Sequence, residues 1–376
     1  YNTALGYGAL FSNTSASQNT AIGYQAAFSN TTGIDNTAIG FQALFDNTSG
    51  NYNTAIGLQS LGANTTGDRN TGVGFQALYS NTTGSFNTGI GYQSLSSNTT
   101  ASENTGIGYQ AVFSNTSGER NTGVGFQALY SNTTGDDNNA FGFCALCNNT
   151  TGSNNVAFGG NALYSNTTGN KNIAFGYKPL YSNTTGDQNT AIGVNALKDN
   201  TQGTNNTGSG YEALRNNTTG DGNIGLGYRA GYQISGSDYN ITIGYDADVN
   251  SSQATNSIVI GKGANGQASN SVTLGNSDVT AVYMAHDSGA TVYAAGLNLS
   301  GGTTVSGVKF GTVTMSTNAS QAFTISGVTS SSIVTASFKS GDNGRYIKTV
   351  VPSTDTITIT LDGSADNGVI MYIIIN

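Results

Sequence analysis

The sequence predicts an all-β chain: a parallel β-solenoid or β-roll of sixteen 17-residue coils followed by a small antiparallel β-sandwich head. A glycine recurs every 17 residues from Gly6 to Gly261, sixteen times in register, through Gly23, Gly40, Gly57 and on to Gly244. Each sits in a unit such as N-T-G-V-G-F-Q-A-L-Y-S-N-T-T-G-D-D at 121–137, in which a short strand pattern is followed by a corner. Beyond 310 the period is gone and short apolar stretches alternate with turn residues. A strict short period means that each unit stacks on copies of itself, so the repetitive part is a rod.

Composition narrows the function classes. The chain has 376 residues, 36% hydrophobic and only 9% charged, with 53 Gly, 2 Pro and no Trp. Low charge with abundant Gly suits disorder, but a disordered linker has no reason to keep one residue type in phase. A net charge of −8 and the lack of a basic cluster oppose nucleic-acid binding. No apolar run approaches the ~20 residues of a membrane helix, so no membrane insertion is expected. The chain starts at Tyr1 with no Met and no signal peptide, and the natural N-terminus is expected to have been removed or to lie outside this sequence.

Within a coil, count the leading Asn as position 0. Position 3 is Ile22, Ile39, Ile56, Val73, Ile90, Ile107 and Val124; position 1 is usually Thr and becomes Val156, Ile173 and Ile224 later. Residues two apart on a strand share a face, so positions 1 and 3 are expected to point into the core, with the small position 2 between them in close packing. Position 5 (Tyr24, Phe41, Phe75, Tyr92, Tyr109, Phe126) continues that inward alternation, and with position 3 forms the expected stacking core. Position 8 is Leu in most coils, whereas position 9 accepts Gly62, Ser96, Lys198 and Arg215 and so lies near solvent. The S-N-T-T-G that follows is a tight corner closed by glycine, as at Gly33 and Gly50. The two residues after it vary freely and carry most of the repeat's charge, as at Glu119-Arg120 and Asp136-Asp137.

Stacking at the ~4.8 Å inter-strand spacing makes the shaft a rod of roughly 75 Å. It also aligns like with like: Asn30, Asn47, Asn64 and Asn81 belong to an Asn column running to Asn217, expected to form an amide ladder. A coil this narrow encloses barely one layer of side chains, with Tyr and Phe competing for space. Three chains around a common axis would bury the aromatic column between subunits, so a homotrimer is expected.

The segments S-I-V-I-G (257–261) and N-S-V-T-L-G (270–275) resemble the head repeats of the trimeric autotransporter adhesins, the YadA-like left-handed parallel β-roll. The glycine spacing also tightens from 17 to 14 residues between Gly261 and Gly275, and 14 is that family's usual repeat. The resemblance covers about residues 1–275 and implies a trimeric, extracellular, adhesive β-roll. The remainder departs from it, with no heptad stalk and no barrel-anchor strands. Six short strands are expected instead, at 310–315, 322–326, 333–338, 346–351, 356–361 and 369–375. Their pattern is similar to small C-terminal domains of phage and other viral tail fibres, and 275–300 resembles tail-fibre neck sequence.

Candidate chemistry is sparse. Cys144 and Cys147 form one C-A-L-C, half of a four-ligand zinc site at most, and drift within the repeat is the simpler reading. Asp246, Asp248 and Asn250 open like a calcium loop, but Ser251 and Ser257 stand where the turn glycine and closing glutamate belong, so a solvated acidic corner is favoured over a structural cation. His286, the only histidine, has no triad around it. The N-T-T and N-T-S sequons are read as corner residues. The Thr column of Thr14, Thr31, Thr48, Thr65 and Thr82 raises ice binding as a distant alternative, weakened because adjacent Thr cannot both face outward from a strand.

The expected organisation is a shaft over 1–275, a neck over 276–309 and a head over 310–376. The expected role is a non-enzymatic structural fibre without cofactor, on a virion surface or outside a cell, that attaches to a surface glycan or protein receptor. A phage or viral tail fibre is the first reading; a bacterial surface adhesin or extracellular filament is the second. In a filament, the strand Val369, Ile370, Met371, Tyr372, Ile373, Ile374 and Ile375 is the candidate for pairing with the next protomer, end to end.

Overall fold

The computed structural model describes residues 1–279 and, beyond them, Gly296–Leu299, Thr303–Ser306, Lys309–Thr314, Ser320–Thr324, Ile333–Ser340, 347–354, Thr356–Leu361 and Val369–Ile375. The chain divides into two compact units, Tyr1–Val282 and Tyr283–Asn376.

The first unit is a parallel β-solenoid. Seventeen three-residue strands, from Thr3–Leu5 to Val272–Leu274, form one parallel sheet. Neighbours pair 17 residues apart, as in Thr20↔Thr37, Ala21↔Ala38 and Ile22↔Ile39. The last step is shorter, Ile258↔Val272. The rest of each coil is hydrogen-bonded between layers as well: Gln42 N donates to Tyr24 O at 2.9 Å, Leu44 N to Ser60 O at 3.0 Å and Thr48 N to Thr65 O at 2.9 Å. Continuous inter-coil bonding satisfies a backbone that is mostly turn by residue count.

The strand faces the opposite way from the expectation. Ala21, Ala38 and Ala55 at position 2 are fully buried, while Thr20, Thr37 and Thr54 are half-buried and Ile22, Ile39 and Ile56 are half-buried or exposed. The alternation is present, with its sense inverted. The coil is too narrow to enclose two β-branched ranks and an aromatic beside the position 8 leucine. It holds instead the alanines of positions 2 and 7, the leucines of position 8 (Leu44, Leu61, Leu78, Leu129) and two asparagines.

This interior is filled to the methyl group. Where position 7 becomes Ser60 or Ser94, position 2 of the next coil becomes Gly72 or Gly106, and each serine hydroxyl donates to that glycine's carbonyl at 2.8 and 2.7 Å. A Cβ on Gly106 would lie 2.6 Å from Ser94 Oγ. Farther along, Gly231 replaces the position 8 leucine and Ile234 replaces the corner asparagine; Ile234 is fully buried, and its Cδ1 reaches 3.1 Å from where a Gly231 Cβ would stand. Paired changes of volume keep the packing density constant.

The periodic glycine has a steric cause. Gly40 has φ +138°, and a Cβ there would stand 2.5 Å from Gly57 O in the next coil. Only glycine lets consecutive backbones approach at this corner. Positions 6 and 8 are left-handed without being glycine, as at Gln76 (φ 50°) and Leu78 (φ 53°), and burial of the leucine holds that unfavourable geometry in every regular coil.

The second unit contains a two-stranded antiparallel hairpin, Gly296–Leu299 with Thr303–Ser306, and two three-stranded antiparallel sheets. The six strands expected from 310 onward are all present, with every boundary within two residues of its expected place. Val369–Ile375 is the central strand of its sheet, paired with Lys309–Thr314 on one side and Ile333–Ser340 on the other. Both of its edges are taken within its own chain, so Val369, Ile370, Met371, Tyr372, Ile373, Ile374 and Ile375 offer no free edge to a next protomer. That expectation is corrected: a strongly apolar strand is what the middle of a sheet requires. His286 lies outside the described residues.

Candidate interaction surface

The solenoid carries its chemistry in columns. Two are buried amide ladders. In the corner column, Asn47 Nδ2 donates to Asn30 Oδ1 at 2.7 Å, Asn64 to Asn47 at 2.8 Å and Asn81 to Asn64 at 2.8 Å, all in one direction. The leading asparagines make a second ladder that sequence reading passed over. Asn19 Oδ1 accepts Asn36 N at 2.9 Å, and Asn36 Nδ2 donates to Gly50 O at 2.8 Å, which also accepts Asn47 Nδ2 at 2.9 Å. The unbroken run of Asn at position 0 from Asn2 to Asn240 was the signal for it. These amides are nearly all fully buried, and hydrogen bonding is what permits that.

On the outside, a third ladder joins glutamines: Gln42 Nε2 to Gln25 Oε1 at 3.0 Å, and onward through Gln59, Gln76, Gln93 and Gln110 to Gln127. Beside it runs the position 5 column. Its rings stack coil on coil, with centroids 5.0 Å apart for Phe75–Tyr92, 5.1 Å for Tyr92–Tyr109 and 5.2 Å for Tyr109–Phe126 and Tyr24–Phe41. These rings lie outside the coil: Tyr24 is 45% and Phe41 46% exposed, and Phe75, Tyr92, Tyr109 and Phe126 are exposed too. Position 3 lies on the same outward side of the strand, with Ile56, Ile90, Ile107, Phe158, Phe175 and Ile192 exposed and Ile22, Ile39, Val73 and Val124 half-buried. The expected stacking core is therefore a stacked apolar stripe on the surface of one chain, because alanine, leucine and asparagine fill the inside.

The other candidates are placed as follows. Thr31 Oγ1 donates to Thr48 O at 2.9 Å and Thr48 Oγ1 to Thr65 O at 3.1 Å, so the Thr column points its hydroxyl protons at the backbone of the next coil. Cys144 and Cys147 are free, buried thiols; burial, together with a hydrogen bond to Cys144, pushes Cys147 up to about 12. Burial that disfavours the thiolate also makes Cys147 a poor nucleophile at neutral pH. Asp246, Asp248 and Asn250 do not form one ligand set. Asn250 Nδ2 donates to Gln267 O at 2.6 Å, while the buried Asp248 accepts Gln233 N at 2.9 Å and Val249 N at 2.9 Å. Burial outweighs those bonds and pushes the Asp248 carboxyl up to about 6. Among the described residues no group of three or more His, Cys, Asp or Glu is placed to hold a metal ion. Asp246 and Asp248 instead line a cavity of about 290 Å3 with Arg229, Tyr232, Gln233 and Asn265. There the Arg229 guanidinium lies 4.1 Å from the Tyr232 ring centroid. On the variable corner, Arg120 grips Asp137 with bonds of 2.8 and 3.1 Å, a half-exposed pair of little consequence for stability.

These features define the class: a tandem-repeat parallel β-solenoid joined to an antiparallel β unit. No protein-family model matches the chain, and no curated protein matches it.

Proposed function

We propose that the chain is a structural fibre subunit whose apolar stripe is covered by two further copies of itself, giving a rigid homotrimeric shaft that extends an attachment surface from a virion or a cell. The observation that carries this reading is the stripe, in which exposed aliphatic and aromatic side chains at positions 3 and 5 recur over successive coils along the rod. Monomeric proteins rarely leave a contiguous apolar patch larger than a few hundred Å2 in water. A patch that repeats with the coil is best covered by a partner with the same repeat, and closed symmetric assembly supplies one. The YadA-like features of 257–275 and the tail-fibre-like pattern after 310 point the same way. A phage or viral tail fibre comes first, with a surface glycan or protein receptor as its target; a bacterial adhesin or extracellular filament is the alternative.

The test is attachment. The purified chain, fluorescently labelled, should decorate a subset of bacterial strains, and enzymatic removal of surface polysaccharide should abolish the staining on those strains. Staining of none across a broad panel would count against the reading.

Ice binding keeps one specific argument. The outward strand face pairs a threonine rank (Thr20, Thr37, Thr54, Thr71) with an aliphatic rank two residues on (Ile22, Ile39, Ile56, Val73). It requires that face bare, whereas the fibre reading covers it, so thermal hysteresis by the native protein would favour ice.

A further inference from the structure

The aromatic column at position 9 has a gap that its neighbours do not close. Phe11, Phe28 and Phe45 stack in sequence with centroids 5.0 and 5.4 Å apart, and the next rung is Gly62, followed by Tyr79. Gly62 is fixed in place by ordinary coil bonding, Asp46 N to Gly62 O at 3.0 Å, and its backbone is not left-handed, so geometry does not demand glycine there. The missing side chain leaves a cavity of about 200 Å3 lined by Gln42, Phe45, Asp46, Gln59, Ala63 and Tyr79. None of these belongs to the apolar stripe. Tyr79 forms one wall, its ring 3.1 Å from where a Gly62 Cβ would stand.

A second departure from the repeat falls at the same spot. Position 10 is serine in most coils, at Ser29, Ser80, Ser97, Ser114 and Ser131, but here it is Asp46. No hydrogen bond and no ion pair reaches the Asp46 carboxylate among the described residues, and the surrounding protein raises its carboxyl above the usual range with no cation to offset it. A ring removed and an unpaired carboxylate added, in contact with one cavity, specify a flat and positively charged occupant.

The same solenoid shows what such an occupant looks like. At the variable corner, Arg69 stands between Tyr52 and Phe86, one coil to either side, with its guanidinium carbon 5.3 Å from each ring centroid. Ring, guanidinium, ring is therefore a stack that fits the coil spacing. At the Gly62 gap both rings and the anion are present and the guanidinium is missing.

We propose that this cleft docks an arginine side chain of a partner polypeptide, the guanidinium stacking between Phe45 and Tyr79 and donating to the Asp46 carboxylate. Arginine suits it better than lysine because the guanidinium is planar, stacks on aromatic faces and forks onto a carboxylate. Gln42 and Gln59 keep one amide edge each for the peptide beyond the side chain, since each uses a single N–H and a single lone pair in its ladder. The inference needs the coil geometry and not the attachment reading.

The probe is N-acetyl-arginine amide, titrated into the full chain and followed by calorimetry or NMR. N-acetyl-lysine amide and N-acetylglucosamine serve as comparisons. Saturable binding of the arginine amide, at least about tenfold tighter than the lysine amide, is expected from the planar charge-assisted contact. Asp46→Ser should weaken it by about tenfold or more, and Gly62→Tyr should abolish it by supplying the missing rung. Both substitutions restore the repeat's own residue, and far-UV circular dichroism checks that the coils persist; Asp46→Asn repeats the charge test at constant volume. No binding to the unaltered chain, binding that survives Gly62→Tyr, or binding of the saccharide in place of the arginine amide would each overturn the proposal.

Discussion

Gly40 and Asn81 show how little latitude one coil has. At Gly40 a methyl group would stand 2.5 Å from Gly57 O with φ at +138°. Gly40→Ala should therefore destabilise the shaft by about 2–4 kcal/mol, the cost of combined backbone strain and steric conflict, read as a lowered denaturation midpoint. Asn81 donates to Asn64 Oδ1 and Gly84 O and accepts from Asn98 Nδ2, at 2.8, 2.9 and 2.9 Å. Asn81→Leu removes these bonds, and a longer one accepted from Asn87 Nδ2 at 3.5 Å, inside a buried column, and should cost on the order of 3 kcal/mol or more, since unsatisfied buried polar groups cost about 1–3 kcal/mol each. Asp248 makes a different prediction. Its folded pKa of about 6 lies above the unfolded carboxylate value. Its contribution is thus full below about pH 4 and is lost as pH rises through about 6. Asp248→Asn should flatten the fall in melting temperature between those values; an unchanged profile would show that another group is responsible. The glycine column was legible in the sequence because a backbone contact repeated every coil leaves only one residue type. The inward residue was not, because alternation shows that Thr20 and Ile22 share a face and Ala21 does not, and only the width of the coil decides which face is inside.

The coil as a unit behaves like a small container of fixed volume. Each position 7 serine, Ser60 and Ser94, is met by a position 2 glycine in the next coil, Gly72 and Gly106, and the loss of leucine at Gly231 is met by Ile234. The two serine–glycine pairs could have been read from the sequence once position 2 was known to abut position 7 of the coil before. Taking positions 1 and 3 as the inward ranks hid them. The same error placed Tyr24, Phe41, Phe75, Tyr92, Tyr109 and Phe126 within the coil, although the mismatch between ring size and coil width had already pointed to a subunit boundary. The Asn ladder from Asn30 onward was legible because identical amides at one period have an obvious mutual partner. The gap at Gly62 was not, because Gly62 and Asp46 are sixteen positions apart and meet only when the coils stack. In the second unit the strands were found from turn punctuation. The place of Val369–Ile375 in its sheet was missed, because apolar composition identifies a buried strand without saying which chain buries it.

As a whole, the shaft is a stack in which each coil buries the next and one long side stays apolar. Stability in such a rod is close to a sum over coils and their contacts, so single defects weaken it locally without dissolving it. In the proposed fibre, two further copies of the chain cover that stripe. Sedimentation analysis of the unaltered protein, at micromolar concentration and moderate salt, tests that most directly. The account predicts one elongated species of three times the 38.3 kDa chain mass. A single-chain species with the stripe left bare would contradict it.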